Sequence, residues 1–413
     1  EILKEELIPA MGCTEPIALA YAAAKAREVL GMLPESVQLQ VSGSIIKNVK
    51  SVIVPNTGHL KGMEAAVAAG IIAGSADREL EVISEVSEDK KAAIRDYLQT
   101  VPISIQHIEQ GHVFDIIVTE RSGDSYAKVR IAGFHTNICL IEKNGRVLYE
   151  KPLLNEEARR DSRADRSLLN MKDIWDFAET ADLQDVADLL ERQIRYNNAI
   201  AEEGLLGDYG ANIGRVLLST YGNDVSIRAK AKAAAGSDAR MNGCELPVII
   251  NSGSGNQASP AQCRSLNTPR SCTAQGKALP CPHHFQSGGH PRKDRHRHPV
   301  RLLRRSQRRC GRWRGHRISV RRRLSAAIHT VVNALAIVSG IVCDGAKASC
   351  AAKIASSVDA ALLGYNMYKC HQEFKGGDGI VMKDIETTIK GIGRLGKDGM
   401  KETNEEIIRL MIE

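Results

Sequence analysis

The stretch Ile341-Val342-Cys343-Asp344-Gly345-Ala346-Lys347-Ala348-Ser349-Cys350-Ala351-Ala352-Lys353-Ile354 sets two cysteines seven residues apart. An apolar helical run, Ala326 to Ile341, leads in, and a second, Ala351 to Tyr365, leads out. The surrounding chain therefore reads as a buried helical layer interrupted once. Asp344-Gly345 breaks the helix between the two sulfurs and brings both towards one point. Thiolates gathered on a short loop are soft metal ligands. Two buried cysteines on a packed helix are the competing reading, and an isolated pair does not separate the two.

The rest of the chain narrows the choice. Its 413 residues allow two or three domains, each with its own core. Ten cysteines in so long a chain do not suggest a secreted disulfide scaffold; they fit metal or catalytic use in a reducing, cytoplasmic setting. No charged-then-apolar leader opens the chain. The most apolar run, Ala326 to Val342, contains His329, Asn333 and Ser339 and predicts a buried helix, not a membrane span. Glu1 falls inside a predicted helix, so the natural start is expected upstream.

The formal charge of +7 would point to an anionic partner, but it is not evenly spread. Ala258–Arg323 holds 16 Arg and two Lys against the single acid Asp294, and the remainder is net acidic. This segment also has six of the 13 prolines, six of the 12 histidines and no helical or strand period. One reading is a basic arm for nucleic acid. The other is translation out of frame. With permissible codons, dropping one base turns Arg295–Arg304 into Gly-Ile-Gly-Ile-Pro-Ser-Ala-Tyr-Cys. The same shift turns His283–Gly289 into Ile-Ile-Ser-Asn-Leu-Val. A two-base shift turns Arg264–Cys272 into Val-Ile-Glu-Tyr-Ala-Lys-Glu-Leu. Three apolar readings from one arginine-rich segment favour the frameshift. The frame changes again near Gly276, and the native frame resumes near Leu324.

In chain order, Ile2–Ile8 predicts a helix stopped by Pro9. Met11-Gly12-Cys13-Thr14-Glu15-Pro16 follows, then an Ala-rich helix to Leu30 closed by Gly31. Thr14 suits the N-cap, with Glu15 and Pro16 in the first turn. Cys13 thus precedes a helix N-terminus, where the dipole is expected to lower its pKa. The alternative is a small residue chosen for a tight turn. From Ser36 a period of two takes over. Strands are predicted at 37–41, 51–54, 80–83, 103–109, 113–121, 126–132, 137–142 and 146–150. Helices are predicted at 59–74 and 88–98, and a tight hairpin at Asn144-Gly145. His135-Thr136-Asn137 sits between two strands, a polar turn or a substrate-facing loop. Glu156–Arg166 reads as a solvated linker or helix. Further helices are expected at 171–180, 183–205, 213–221 and 226–235. The loop Asn251-Ser252-Gly253-Ser254-Gly255-Asn256-Gln257 offers backbone N–H groups that suit a carboxylate. It lacks the Walker lysine and the dinucleotide fingerprint.

Together these motifs resemble the L-cysteine desulfidase family, relatives of the iron–sulfur L-serine dehydratase alpha chains. The likeness rests on MGCTEP at Met11–Pro16, SGSIIKNV at Ser42–Val49, HTN at His135–Asn137, NSGSGNQ at Asn251–Gln257, CDGAKASC at Cys343–Cys350 and GDGIV at Gly377–Val381. It implies a 4Fe-4S cluster held by three cysteines, two of them Cys343 and Cys350. The third ligand would lie in the disturbed segment, its shifted codon falling across Leu303 and Arg304. Cys310 is nearby but has no matching context. The resemblance also implies β-elimination on a small amino acid, with Cys13 as base. Candidate substrate contacts are Thr14, Glu15, His135, Thr136, Asn137, Asn251, Ser252, Ser254 and Asn256. Lys347 either pairs with the substrate carboxylate or faces solvent. Cys139, Cys244 and Cys370 read as structural.

The expected architecture is α+β, a mainly helical catalytic domain with an inserted α+β domain. The divisions are 1–35 (helical, with MGCTEP), 36–155 (α+β) and 156–413 (helical, cluster-binding). Expected partners are a small amino-acid substrate and a second copy in a homodimer, with no nucleic acid and no membrane. L-cysteine and L-serine both remain open as substrates. As written, the chain lacks one cluster ligand and is expected to be inactive. Ala258–Arg323 is expected to be exposed and irregular, Ala326–Tyr365 helical, and the unit from about Ser36 to Leu153 to hold its own fold.

Overall fold

The computed structural model describes residues 1–109, 111–153, 164–251 and 313–412. After the short helix α1 (Ile2–Glu6) and strand β1 (Pro9–Met11), helix α2 (Thr14–Leu30) ends at Gly31 in the left-handed conformation. Strand β2 (Ser36–Ser42) runs directly into α3 (Gly43–Val49), followed by α4 (Gly62–Ala73) and α5 (Glu88–Thr100). Strands β3 (Ile103–Ile108), β4 (Asp115–Ser122), β5 (Ser125–Ala132), β6 (Ile138–Lys143) and β7 (Arg146–Glu150) complete a six-stranded sheet. Its order is β3-β2-β4-β5-β6-β7, with β2 and β3 parallel and the other pairs antiparallel. The parallel pair needs the long crossover that α3 to α5 supply.

The alternation read from sequence decides the sheet's inner face. Val37, Leu39, Ile116, Val118, Val129 and Ile131 form one core with α2 and α4. On the other face Gln38 and Gln40 share Gln106 through exposed amide hydrogen bonds. Helix α2 is buried nearly all round, its alanines letting α4 approach. A Cβ on Gly70 of α4 would lie 2.1 Å from the Ala20 carbonyl oxygen, so only glycine fits there. Asn144 and Gly145 both have positive φ, as the predicted tight hairpin requires.

Two predicted strands are absent. At Ser51–Val54 only Ile53 forms isolated bridges, and Leu80 lies in a 3-10 turn, Ala76–Glu81. Val52, Val54, Leu80, Val82 and Ile83 are buried all the same. A short apolar run reports burial, and here burial comes without pairing.

Glu120 on β4 is wholly buried, and among the described residues neither of its carboxyl oxygens has a hydrogen-bond partner. Burial pushes its pKa well above the ordinary glutamate range, with Arg27 acting the other way. The folded protein keeps this proton at pH values where the unfolded chain has lost it. Stability from this site is therefore full below the ordinary glutamate range and falls as pH rises. Glu120→Gln, neutral at every pH, is expected to raise the melting temperature over wild type by an amount that grows from pH 5 to pH 8. Thermal melts across that range check this, and parallel pH profiles would refute it.

The second half is helical: α6 (Met171–Thr180), α7 (Leu183–Leu206), α8 (Ile213–Tyr221) and α9 (Val225–Met241), then β8 (Pro247–Ile249). After the undescribed stretch come α10 (Trp313–Val338), α11 (Ala348–Lys369), α12 (Ile385–Arg394) and α13 (Lys401–Ile412). Strand β8 pairs antiparallel with β1, and Asn197 of α7 makes two hydrogen bonds to the Ile249 backbone. This ribbon ties the helical half to the start of α2. The helical cores are small: Ala201, Ala229, Ala233 and Val358 form one, and Ala234, Ala351 and Ala355 another. Ile174, Phe177, Val216, Ile337, Leu363 and Ile389 remain exposed. Among the described residues no helix is long and apolar enough to cross a membrane.

The expectation of irregular chain through Arg323 fails for residues 313–323, which begin α10. From Ile318 to Val338 the sequence has neither Gly nor Pro, and arginine propagates a helix well. Arg323 reaches Glu179 of α6 at 3.8 Å. Residues 258–312 and most of the predicted 156–166 linker lie outside the described residues. The break expected at Asp344-Gly345 is present: α10 ends at Val338 and α11 starts at Ala348, with the two-cysteine loop between them.

Candidate active site

Cys13, not Thr14, occupies the N-cap of α2, with Thr14 as the first helical residue. Gly12 reaches its position with positive φ, and its carbonyl accepts from buried Arg240 Nε of α9 at 3.0 Å. Glu15 gathers three donors. Its Oε2 accepts from Cys13 Sγ at 3.2 Å and Thr14 Oγ1 at 3.1 Å, and its Oε1 from Asn48 Nδ2 of α3 at 3.1 Å. The predicted lowering of the Cys13 pKa is overturned. Burial pushes the thiol up strongly, and the Glu15 charge adds to that, while Arg240 opposes it. The helix terminus is present, but the sulfur is removed from water and lies beside a carboxylate. Cys13 is therefore a neutral thiol donating to Glu15.

His135 faces the same cluster. Its ring packs edge-on against Phe114, centroids 4.6 Å apart, and its buried Nε2 has no hydrogen-bond partner among the described residues. Burial lowers its pKa, with Glu15 pulling upward and Arg240 downward, so the imidazole is neutral. With Thr136 it lines a cavity of about 330 Å³ that also meets Glu6 and Ile250. Asn137 serves the turn that the sequence also allowed for this motif. Its Nδ2 donates to the Ala132 carbonyl at 2.8 Å and closes the β5–β6 turn. Asn251 is half-buried at the edge of the β8 ribbon; Ser252, Ser254 and Asn256 lie outside the described residues.

The CDGAKASC loop seats on α3. Gly345 has φ of +99°, and a Cβ there would lie 2.1 Å from the Lys47 carbonyl oxygen. Lys47 Nζ donates to the Cys343 carbonyl at 3.4 Å. Cys343 is exposed and Cys350 half-buried, its Sγ donating to the Gly345 carbonyl at 2.9 Å. Burial raises the Cys350 pKa. Lys347 pairs with Asp344 at 2.7 Å, and Lys353 binds the other carboxylate oxygen. Partial burial opposes the Asp344 charge, but these two lysines more than offset it and hold its pKa at about 2. Lys347 thus spends its charge within the loop. Among the described residues no three His, Cys, Asp or Glu side chains converge as a metal site. Two thiols from one loop do not make a three-cysteine donor set, so the described residues alone do not fit the implied cluster. Cys139 and Cys244 are buried as expected, but Cys370 is exposed at the end of α11.

Successive residues of α3 therefore join the two sulfur-bearing motifs: Asn48 holds Glu15 and Lys47 holds the Cys343 loop. Neither was assigned a role from sequence, and Arg240 was missed altogether. A lysine and an amide inside the apolar run Ile45–Val49 were the available signal.

Gly345→Ala tests the seating. It is expected to raise the alkylation rate of Cys350 about tenfold, the cost of an L-residue at positive φ plus the clash with Lys47. Gly377→Ala is the control, since Gly377 has φ of +102° with nothing near its would-be Cβ. Equal alkylation rates in the two variants would show that the loop does not rest on α3.

The arrangement is that of a protein with a serine dehydratase-like core. The family model described as serine dehydratase alpha chain matches residues 77–270 and 321–409. The match breaks inside the arginine-rich stretch. A UPF0597 protein of Desulfitobacterium hafniense is 52% identical over 425 aligned positions, covering all of this chain and 95% of that protein. UPF0597 proteins of Lachnoclostridium phytofermentans and Finegoldia magna are 43% and 41% identical, with 98% and 99% of their lengths covered. The chain belongs to the UPF0597 family.

Proposed function

We propose that this protein, in its intact reading frame, is a lyase that breaks L-cysteine into hydrogen sulfide, ammonia and pyruvate. L-Serine dehydration is the close alternative. The observation that carries the reading is the junction on α3, where a buried thiol–carboxylate pair and a two-thiol loop are held by neighbouring residues. The serine dehydratase match supports a lyase acting on an amino acid.

The resemblance implies a 4Fe-4S cluster as the resident cofactor, and its third thiol would come from the segment whose frame is disturbed. The chain's own residues handle the proton. Cys13 passes its thiol proton to Glu15, and the resulting thiolate takes the proton from the substrate Cα. The electron pair left on Cα forms the Cα–Cβ double bond as the Cβ–S bond breaks and sulfide leaves. Aminoacrylate then hydrolyses to pyruvate and ammonia. Neutral His135 lines the adjoining cavity as a hydrogen-bonding wall without adding charge. The lysine of the CDGAKASC motif pairs with Asp344.

Anaerobic assay of pyruvate from L-cysteine and L-serine, using a chain with its frame restored and reconstituted with iron and sulfide, is the test. Pyruvate from L-cysteine with matching sulfide is expected. Pyruvate from neither would sink the lyase reading.

A further inference from the structure

Lys47 is a buried cation whose charge is not answered by the described chain. It is 9% exposed on α3. Its ammonium donates to the Cys343 backbone carbonyl at 3.4 Å and to the side-chain oxygen of Asn404 on α13. Both acceptors are neutral. Among the described residues Lys47 has no carboxylate within ion-pair distance and no other partner. An ammonium carries three N–H donors, and burying it without an anion is costly. A protein keeps such a group where an anion arrives from outside. The other two lysines of this region, Lys347 and Lys353, share the single carboxylate of Asp344.

We propose that Lys47 receives the α-carboxylate of the amino-acid substrate. The substrate class rests on the lyase reading above; the anion site rests on the unanswered charge. The placement suits the chemistry. Side chains of successive helical residues diverge by about 100°, so Lys47 and Asn48 address adjoining sides of α3. On one side lies the exposed thiol loop. On the other, Asn48 orients Glu15, which accepts the Cys13 proton. A carboxylate held at Lys47 stands one bond from Cα, the atom whose proton that pair must reach.

Calorimetric titration of the full chain under anaerobic, reducing conditions tests this. The probes are L-cysteine, 3-mercaptopropionate, which lacks the ammonium, and cysteamine, which lacks the carboxylate. Lys47→Met is expected to weaken L-cysteine and 3-mercaptopropionate about tenfold or more, the loss of a charge-assisted hydrogen bond, and to leave cysteamine unchanged. Lys47→Arg should recover most of the affinity, and Lys347→Met should stay close to wild type. Thermal melts of each variant separate binding loss from unfolding.

Three outcomes overturn the assignment. One is full L-cysteine affinity in Lys47→Met. Another is an equal loss for cysteamine, which marks a merely structural lysine. The third is a wild-type chain that binds neither carboxylate. Carboxylate binding that depends on Lys47, without pyruvate from the repaired chain, would instead sink the lyase reading alone.

Discussion

Restoring the reading frame across Ala258–Arg323 is expected to convert an inactive chain into one that binds iron and sulfide and forms pyruvate. Three observations lead to this. The segment carries 18 positive charges against one negative, which no core accepts without partners. The family match stops at residue 270 and resumes at 321, while it covers most of the chain on either side. The helical half leaves Ile174, Phe177, Val216, Ile337, Leu363 and Ile389 exposed beside cores of a few alanines. Apolar sequence in the alternative frames would cover such faces, and covering a half-exposed Leu or Ile contributes on the order of 1 kcal/mol. The repaired chain should therefore melt higher and more cooperatively and bind less of a hydrophobic dye. It should also gain the third thiol that the described residues lack. If genomic sequencing shows one continuous frame and the repaired chain binds as much dye as the original, the frameshift reading is wrong. Salt-dependent nucleic-acid binding by the basic segment would then be the measurement to make.

What could be read in advance depended on how local its cause was. Helices α6 and α8 begin and end where the amphipathic pattern places them, because Asn170 and Gly222 punctuate the chain within a residue. Strands β2 and β5 followed from alternation, since one face of each is buried and the other is partly exposed. The unreadable parts are tertiary. Cys13 does stand at a helix terminus, as expected, but burial and the Glu15 carboxylate outweigh Arg240 and reverse the sign of its pKa shift. The two partners of Lys47 lie 296 and 357 residues away in sequence, so no local pattern could have nominated them. Lys347 looked suitable because it stands between the two cysteines, yet that same closeness puts it on Asp344.

Glu15→Gln is expected to cut turnover of the repaired enzyme by roughly 10²–10⁴-fold, the usual worth of a positioned acid–base group, with substrate binding largely kept. The substitution preserves shape and removes the acceptor. Glu15 now takes hydrogen bonds from Cys13 and Thr14 on one oxygen and from Asn48 on the other. A glutamine has one accepting oxygen, so either the thiol or Asn48 loses its partner, and neither arrangement can take the thiol proton. The pH profile separates this role from a passive one. In the wild type, burial and the Glu15 charge hold the Cys13 pKa far above its ordinary value. A thiolate formed by passing its proton to Glu15 leaves the proton count of the pair unchanged, so wild-type kcat/KM should stay level through neutral pH. Glu15→Gln has no internal acceptor and must lose the thiol proton to solvent, so its residual activity should climb as pH rises. If Glu15 only hindered ionisation of Cys13, the variant would be faster than wild type at pH 7. That result would leave Cys13 as the base acting alone and remove Glu15 from the proton path.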